Sequence, residues 1–213
     1  DARACRMIRL DREGPLWTVT LDRPDKANSL TGDMLRQLAD IAAEAAEAPD
    51  LRALILTGAG EKVFSAGADL EEAHAGLATA PVWEEVSGNL AALECLTVAA
   101  LNGTLAGGAF GMALACDIRI AVPAARFFYP VAKLGFLPQP SDPARMRALM
   151  GPARTKLLLL GGQKFTADEA FGYGLIDRIV APEHLMDAAR DIAADAVAGK
   201  PEVLRGIKAM SMG

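Results

Sequence analysis

Short β-prone apolar runs alternate with segments of helical periodicity from one end of the chain to the other. Residues 7–10 (MIRL) and 16–21 (LWTVTL) predict a β-hairpin, and residues 51–57 (LRALILT) predict a further strand. Local signals further along the chain predict a helix over about 81–94, an extended segment over 125–133, a helix from Pro143 to about Met150 that Ser141 caps, a break at Gly151-Pro152 followed by a short helix over 153–160, a capping box in TADE (residues 166–169) and a strand over 175–180. The residues after Thr31, a plausible helix N-cap, and residues 182–198 place apolar side chains on one helical face. Because this alternation continues without a break in composition, we predict an α/β fold with crossover connections. We expect a single domain over residues 1–213, with a core over about 7–180 and a helical C-terminal part over about 182–213.

Composition and charge argue against several classes of partner. The net charge is −5 and the chain has no Lys/Arg run, so we expect neither nucleic acid nor an anionic membrane as a partner. No apolar stretch reaches the length of a membrane span without interruption. The cysteines, Cys5, Cys95 and Cys116, are odd in number and unclustered, which predicts a reduced, cytoplasmic setting. The two histidines, His74 and His184, lack the spacing of a metal site, and we expect no metal.

Two glycine-containing stretches suggest a site built from backbone N–H groups. In LNGTLAGGAFGMALACD (residues 101–117), Gly108 would present an unpaired N–H at the positive end of the dipole if it opens a helix. Such an N–H could stabilise a developing oxyanion. Taken alone, this stretch is explained more simply if its glycines only allow close packing. In VFSAGADLEE (residues 63–72), a small-residue bend leads into an acidic helix start at Asp69, which leaves N–H groups around Ala68 unpaired in the same way.

These two stretches, in this order and separation, resemble the enoyl-CoA hydratase/isomerase (crotonase) family. DRPDKANSL (residues 22–30) is similar to the N-terminal loop of that family, and LGG and ADEAFGYGLIDRIV match its later region, so the resemblance covers about residues 7–208. It implies a crotonase-like spiral of repeated ββα units that binds acyl-CoA thioesters. It also implies that the backbone N–H groups of Ala68 and Gly108 hold the thioester carbonyl oxygen as it becomes an enolate.

The resemblance further implies how the substrate and the subunits are arranged. It places the CoA moiety against Lys26, Ala27, Ala66, Asp69 and Leu70. Lys26 would contact a phosphate, and a solvated surface lysine is an equally good interpretation. CoA is then part of the substrate, and no separate cofactor is expected. Family members form trimers or pairs of trimers, so a homo-oligomer is implied. Members also continue into further helices, which predicts a C-terminal part that is naturally short or truncated.

The chain departs from the family pattern where proton transfer is expected. The hydratases carry two glutamates, and the matching positions here are Gly111 and Val131. Some isomerase-like relatives use an aspartate at the position of Gln139. None of these three residues can act as an acid or base, so two-glutamate hydration is not supported.

Three other side chains are candidates for the acid–base group. Tyr129 could present its hydroxyl to the acyl group, or serve in the core or at the rim beside two phenylalanines. Asp142 is a carboxylate close to the expected acid position, and an aspartate stabilised at a helix start is the commoner case. His74 titrates near neutrality, and an exposed helical histidine is its ordinary role.

We therefore predict an acyl-CoA-binding enzyme of the hydratase/isomerase class that stabilises a thioester enolate. Two alternatives remain open from the sequence. One is another enolate reaction on the same fold, such as isomerisation, decarboxylation or thioester hydrolysis. The other is an acyl-CoA-binding protein without catalysis.

Overall fold

A computed structural model describes residues 7–211 and contains two β-sheets. The larger sheet has six strands in the spatial order β1 (Ile8–Glu13), β2 (Leu16–Leu21), β3 (Ala53–Gly58), β5 (Leu96–Leu101), β7 (Ile118–Ala121) and β10 (Arg178–Ile179). β1 and β2 form the predicted antiparallel hairpin, and all other neighbours in this sheet are parallel. Every residue of β2 and of β3 is buried, as expected for the centre of a parallel sheet.

The smaller sheet has four short strands. Their spatial order is β4 (Val63–Ser65), β6 (Thr104–Ala106), β8 (Arg126–Phe128) and β9 (Phe165–Thr166). β4, β6 and β8 are parallel, so their carboxyl ends lie at one edge of the sheet, whereas β9 is antiparallel to β8.

The helices described between residues 7 and 211 connect or cover these strands. They are α1 (Gly32–Glu47), α2 (Leu70–His74), α3 (Val82–Ala91), α4 (Phe110–Ala115), α5 (Val131–Leu134), α6 (Asp142–Leu159), α7 (Ala167–Tyr173), α8 (Leu185–Ala198) and α9 (Pro201–Ser211). α1 packs on α3, α3 on α4 and α4 on α6, whereas α8 packs against β3, β5 and β7. None of these helices is both long and apolar enough to cross a bilayer.

The order of elements confirms the predicted spiral of ββα units. In three consecutive turns, a strand of the larger sheet is followed by a strand of the smaller sheet and then by a helix: β3–β4–α2, β5–β6–α4 and β7–β8–α5. The local signals at two helix starts are also confirmed. Thr31 caps α1 by accepting from the Met34 N–H, and Thr166 and Glu169 form the capping box that opens α7.

Other boundaries differ from the predictions for physical reasons. The extended segment predicted over residues 125–133 ends after β8 and becomes α5, because Pro130 cannot donate to a ladder but is tolerated at a helix start. The strand predicted over residues 175–180 is reduced to β10. The break predicted at Gly151-Pro152, by contrast, is confirmed: α6 is kinked at Gly151, whose φ of 78° lies in the left-handed region, and continues as a helix beyond it.

The described cysteines are buried free thiols. Burial raises the pKa of Cys95 to about 11 and that of Cys116 to about 12. Both thiols are therefore protonated and belong to the core. Cys5 lies outside the described residues.

Candidate active site

A cleft of about 160 Å³ opens at the carboxyl ends of the three parallel strands of the smaller sheet. The loop after β4 contributes Ala66 and Ala68, the turn after β6 contributes Gly107 and Gly108, and the segment after β8 contributes Tyr129. Each wall therefore comes from a different turn of the ββα spiral. The remaining lining is mostly apolar and includes Leu70, Ala73, Trp83, Phe128, Val131, Leu134, Phe136, Leu137 and Gln139.

The loops after β4 and β6 are in direct contact, and a glycine makes this possible. Gly67 has a φ of +91°, and a Cβ at this position would lie 3.0 Å from the Ala106 carbonyl oxygen and 3.5 Å from the Gly108 nitrogen. Only glycine adopts this conformation without strain and leaves room for the neighbouring backbone. The N–H groups that follow Gly67 and Gly107 are thereby held on the same cleft.

Within the described part of the chain, the N–H groups of Ala68 and Gly108 have no hydrogen-bond acceptor. Leu30 donates to the Gly67 carbonyl at 2.7 Å and accepts from the Asp69 N–H at 2.8 Å, so its bonds flank Ala68 without using the Ala68 N–H. Gly108 lies in the single 3-10 turn that leads into α4, where an N–H has no earlier turn to bond to. Both residues line the cleft and are only half-buried. Two free donors on neighbouring walls of one cleft can bind an anionic oxygen.

A salt bridge fixes the loop that carries Ala68. The Arg23 guanidinium donates to Asp69 at 2.8 Å, and Asp69 also caps α2 by accepting from the N–H groups of Glu71 and Glu72. The Arg23 hydrogen bond is the main reason that the pKa of Asp69 lies below its usual range. The Asp69 carboxylate, predicted as a CoA contact, is therefore engaged within the protein.

Tyr129 and Asp142 form a buried pair beneath the cleft. Tyr129 lines the cleft, and its hydroxyl donates to Asp142 Oδ2 at 3.0 Å and accepts from the Gln139 N–H at 3.3 Å. The Tyr129 ring stacks on Phe110 with centroids 5.5 Å apart. Burial raises the pKa of Tyr129 well above its usual range, and the neighbouring Asp142 adds to this effect.

Asp142 is completely buried, and its surroundings favour the neutral acid. Burial raises the pKa of Asp142 to about 7. The hydrogen bond from Tyr129 and the charge of Arg145 oppose this shift, whereas the charge of Glu84 adds to it. Glu84 is held in place because its Oε1 accepts from the Ser141 hydroxyl at 2.9 Å and from the Ser141 N–H at 3.2 Å. Ser141, expected to cap α6, is thus bound to α3 instead.

Gly111 provides the space in which the Asp142 carboxylate lies. A Cβ at Gly111 would be 3.2 Å from Asp142 Oδ1 and 3.5 Å from the Ser87 Cβ. Among the described residues, Asp142 Oδ1 has no hydrogen-bond partner. The second expected glutamate position, Val131, lies in α5 and lines the cleft with an apolar side chain.

Besides Asp69 and Asp142, three further residues predicted for the site do not line the cleft. His74 is exposed at the end of α2, and Lys26 is exposed at the end of the 3-10 turn Pro24–Lys26. Ala27 has a left-handed φ of 52° and accepts from the Ala66 N–H at 3.0 Å, so it lies behind the cleft wall.

Sequence reasoning missed Trp83 and Glu84. A Cβ at Gly108 would lie 3.1 Å from the Trp83 ring, which makes that ring a neighbour of the free Gly108 N–H. Both missed residues lie on α3, which the sequence did predict as a helix. No local signal indicates which face of this helix meets α4.

The ββα spiral and the cleft at its strand ends define a crotonase-fold protein. Solved structures agree: DspI of Pseudomonas aeruginosa superimposes with a TM-score of 0.90 at 29% identity, covering 100% of this chain and 90% of that one. An enoyl-CoA hydratase of Bacillus anthracis gives a TM-score of 0.88 at 32% identity, covering 97% and 83%.

Sequence comparison gives the family. Residues 11–212 match the profile of the enoyl-CoA hydratase/isomerase family. The chain is 37% identical to a carnitinyl-CoA dehydratase of Salmonella arizonae, covering 94% of this chain and 78% of that protein. It is 36% identical to a short-chain-enoyl-CoA hydratase of Clostridium acetobutylicum, covering 93% and 78%. The protein belongs to the enoyl-CoA hydratase/isomerase family, which confirms the predicted family and a hydratase/isomerase-like enzyme.

Proposed function

We propose that this protein binds an acyl-CoA thioester and stabilises its enolate with the N–H groups of Ala68 and Gly108. The observation that carries the proposal is that both N–H groups lack an acceptor among residues 7–211, while Ala68 and Gly108 lie on loops in contact with each other and line one cleft. Fixed donors aimed at a developing oxyanion are among the largest contributions to enzyme rates. CoA is then part of the substrate, and the proposal requires no separate cofactor or metal.

The walls of the cleft suit the acyl part of such a substrate. Leu70, Leu134 and Leu137 are 76%, 61% and 86% exposed, so apolar surface surrounds the cleft mouth. An acyl chain that covers these side chains would remove water from the two N–H groups and strengthen their interaction with the oxyanion. Ala66 and Leu70 lie on this surface, in keeping with their expected contact to the substrate.

The relatives' names favour addition or removal of water as the overall reaction. A carnitinyl-CoA dehydratase and a short-chain-enoyl-CoA hydratase both act on the bond next to a CoA thioester, where an enolate is the natural intermediate. Gly111 and Val131 supply no acid or base, so the proton must move through a different group from the two glutamates of the hydratases. Isomerisation, decarboxylation and thioester hydrolysis share the same enolate-binding requirement and are outcomes of the substrate test.

Replacement of Ala68 by proline tests the enolate proposal. Ala68→Pro removes an N–H that makes no hydrogen bond within the described chain, whereas a ring at position 108 would collide with Trp83. We expect Ala68→Pro to slow α-proton exchange of butyryl-CoA in D₂O by about 100- to 1000-fold, because one oxyanion donor is lost. Exchange is followed by NMR, and binding of butyryl-CoA by calorimetry.

The matched control is Ala68→Ser, which keeps the N–H. It should exchange at close to the wild-type rate, and circular dichroism should show both variants folded. Equal exchange by the proline and serine variants would contradict the role of this N–H. A wild-type protein that binds butyryl-CoA without exchanging its α-protons would favour an acyl-CoA-binding protein without catalysis.

A further inference from the structure

We propose that Tyr129 and Asp142 form a proton relay: Tyr129 exchanges a proton with the acyl α-carbon while Asp142 exchanges one with the Tyr129 oxygen. This inference rests on the proposed enolate function and names the acid–base group that function lacks. Tyr129 is the catalytic residue of the pair, and Asp142 acts through it.

The positions of Tyr129 and Asp142 give the two side chains different roles in proton transfer. Tyr129 lines the cleft, whereas Asp142 is completely buried behind it and cannot reach a substrate directly. The Tyr129 hydroxyl donates its proton to Asp142 Oδ2 and accepts from the Gln139 N–H, which leaves one lone pair of the phenol oxygen for an incoming proton. The hydrogen bond between Tyr129 and Asp142 is the path along which the proton leaves.

The step balances without any further reactant. In the forward direction the α-carbon–hydrogen bond breaks and its proton moves to the Tyr129 oxygen, while the Tyr129 proton moves to Asp142 Oδ2. The electron pair of the broken bond becomes the enolate, whose negative oxygen lies at the N–H groups of Ala68 and Gly108. In the reverse direction the neutral Asp142 returns its proton to Tyr129, which protonates the α-carbon. Tyrosinate need not accumulate at any point.

The surroundings of Asp142 allow it to hold and release this proton. The charged and titratable groups that face it are Tyr129 after β8, Glu84 from α3 and Arg145 from its own helix, α6. Glu84 disfavours the carboxylate, whereas Arg145 favours it by its charge alone: one Arg145 nitrogen donates to the Ser87 carbonyl at 3.5 Å, and another is buried without a partner within the described chain. Burial with this balance brings the pKa of Asp142 to about 7, so both forms are populated near neutrality.

The absence of a side chain at Gly111 leaves room for the Asp142 carboxylate. A side chain there would meet Asp142 Oδ1, as a Cβ alone would approach to 3.2 Å. A glutamate at position 111 would supply a carboxylate from α4. In this chain the Asp142 carboxylate from α6 lies next to that position instead. Asp142 Oδ1, which has no partner among the residues that the structure describes, faces this gap. A buried carboxylate that served only to anchor Tyr129 would be stabilised by a second donor at this oxygen.

The test uses Asp142→Asn and Tyr129→Phe, with butyryl-CoA in D₂O as the probe. Each variant should lose α-proton exchange by about 100- to 10,000-fold, and the double variant should be no slower than the slower single variant, because the two groups act as a unit. Butyryl-CoA binding should be retained in all of them. The wild-type exchange rate should rise with pH through an inflection near 7, since the carboxylate form accepts the proton, and Asp142→Asn should lose that inflection.

Asp168→Asn is the matched control, because Asp168 is also an aspartate in the first turn of a helix but is exposed on α7. It should exchange like the wild type. Exchange by Asp142→Asn at the control rate with the inflection retained would overturn the relay and leave the enolate proposal standing. Absence of exchange by the wild type would overturn the enolate proposal and the relay with it. If Asp142→Asn does not fold, the Tyr129→Phe variant is the deciding test. Exchange by Tyr129→Phe at the wild-type rate would overturn the relay.

Discussion

At the scale of single residues, the unusual feature of this protein is a buried carboxyl group, Asp142, for which the cost of burial outweighs the stabilisation of its charge by Tyr129 and Arg145. Asp142 receives one hydrogen bond, from Tyr129, and its other oxygen has no partner within the described residues. Ordinarily a helix-start aspartate is exposed, as Asp168 is. Burial of Asp142 therefore links the stability of the protein to pH in the direction opposite to that of a salt-bridged carboxylate.

The sign of this linkage can be measured. In the unfolded chain Asp142 ionises near its usual pKa of 3.8, and in the folded protein near 7, so the folded state binds more protons between these values. We expect this group's contribution to the free energy of unfolding to be fully present below about pH 4. As the pH rises from about 4 to about 7, this contribution should decrease by up to about 1.4 kcal/mol per pH unit. Urea unfolding of the wild type and Asp142→Asn from pH 4 to 8 checks this.

The comparison between the two proteins isolates Asp142 from the other carboxyl groups. Asp142→Asn should become progressively more stable relative to the wild type as the pH rises from 4 to 7, and the difference should then level off. A constant difference across this range would show that Asp142 is ionised throughout. Asp168→Asn again serves as the control, and its difference from the wild type should not follow this curve.

At the scale of elements, the site depends on the contact between the loops after β4 and β6. Gly67 combines a left-handed φ of +91° with a close approach to the Ala106 carbonyl, whereas Gly76 has a φ of +109° and nothing near its Cβ position. A side chain at position 76 would therefore introduce backbone strain alone, whereas a side chain at position 67 would introduce both strain and a steric clash. The loop contact, rather than the strain, sets the position of the Ala68 N–H.

We expect Gly67→Ala to destabilise the protein more than Gly76→Ala does. Gly76→Ala should cost about 1 kcal/mol from the left-handed conformation alone, and Gly67→Ala should cost more because its Cβ meets the backbone of the opposite loop. Only Gly67→Ala should also slow butyryl-CoA exchange. Urea unfolding and the exchange assay measure the two effects. Equal losses of stability with unchanged exchange would mean that the loop contact does not position the site.

The elements also show which parts of this structure the sequence could predict. Thr31, the TADE sequence that opens α7, and the hairpin were predictable because each depends on neighbours in the chain. The turns carrying Ala68 and Gly108 were predictable from their glycines and from the family resemblance. The positions of Trp83 and Glu84 were not, because they depend on how α3 packs against α4 and α6. Asp142 was recognised as a candidate, but its burial against Gly111 follows only from the tertiary fold.

At the scale of the whole molecule, apolar side chains remain exposed on one groove between α5 and α6. Leu137 and Leu160 are 86% and 73% exposed, and both line this groove together with Phe136 and Leu159. Contiguous exposed apolar surface is typical of an interface with another chain. The resemblance to a family of trimers and hexamers makes a second copy of this chain the expected occupant, and the homo-oligomer stays a prediction.

Light scattering tests this prediction directly. The wild type should have the mass of a trimer or hexamer, and Leu137→Asp should shift it towards the monomer because a buried, unpaired charge is costly in an interface. Ala46→Asp on the exposed face of α1 is the control and should keep the wild-type mass. A monomeric wild type, or an unchanged mass for Leu137→Asp, would contradict an interface at this groove.

The parallel arrangement of β4, β6 and β8 has a consequence for how this family diversifies. Since each strand delivers one wall of the cleft from a separate turn of the spiral, the proposed anion-binding N–H groups come from two turns and Tyr129, the proposed proton-transfer residue, comes from a third. In this chain Gly111 in α4 carries no carboxylate and Asp142 at the start of α6 places one beside it, while Ala68 and Gly108 lie on other loops. If both proposals hold, we expect substitutions that change the proton-transfer residues to leave the two N–H groups in position, so that one fold can support several reactions.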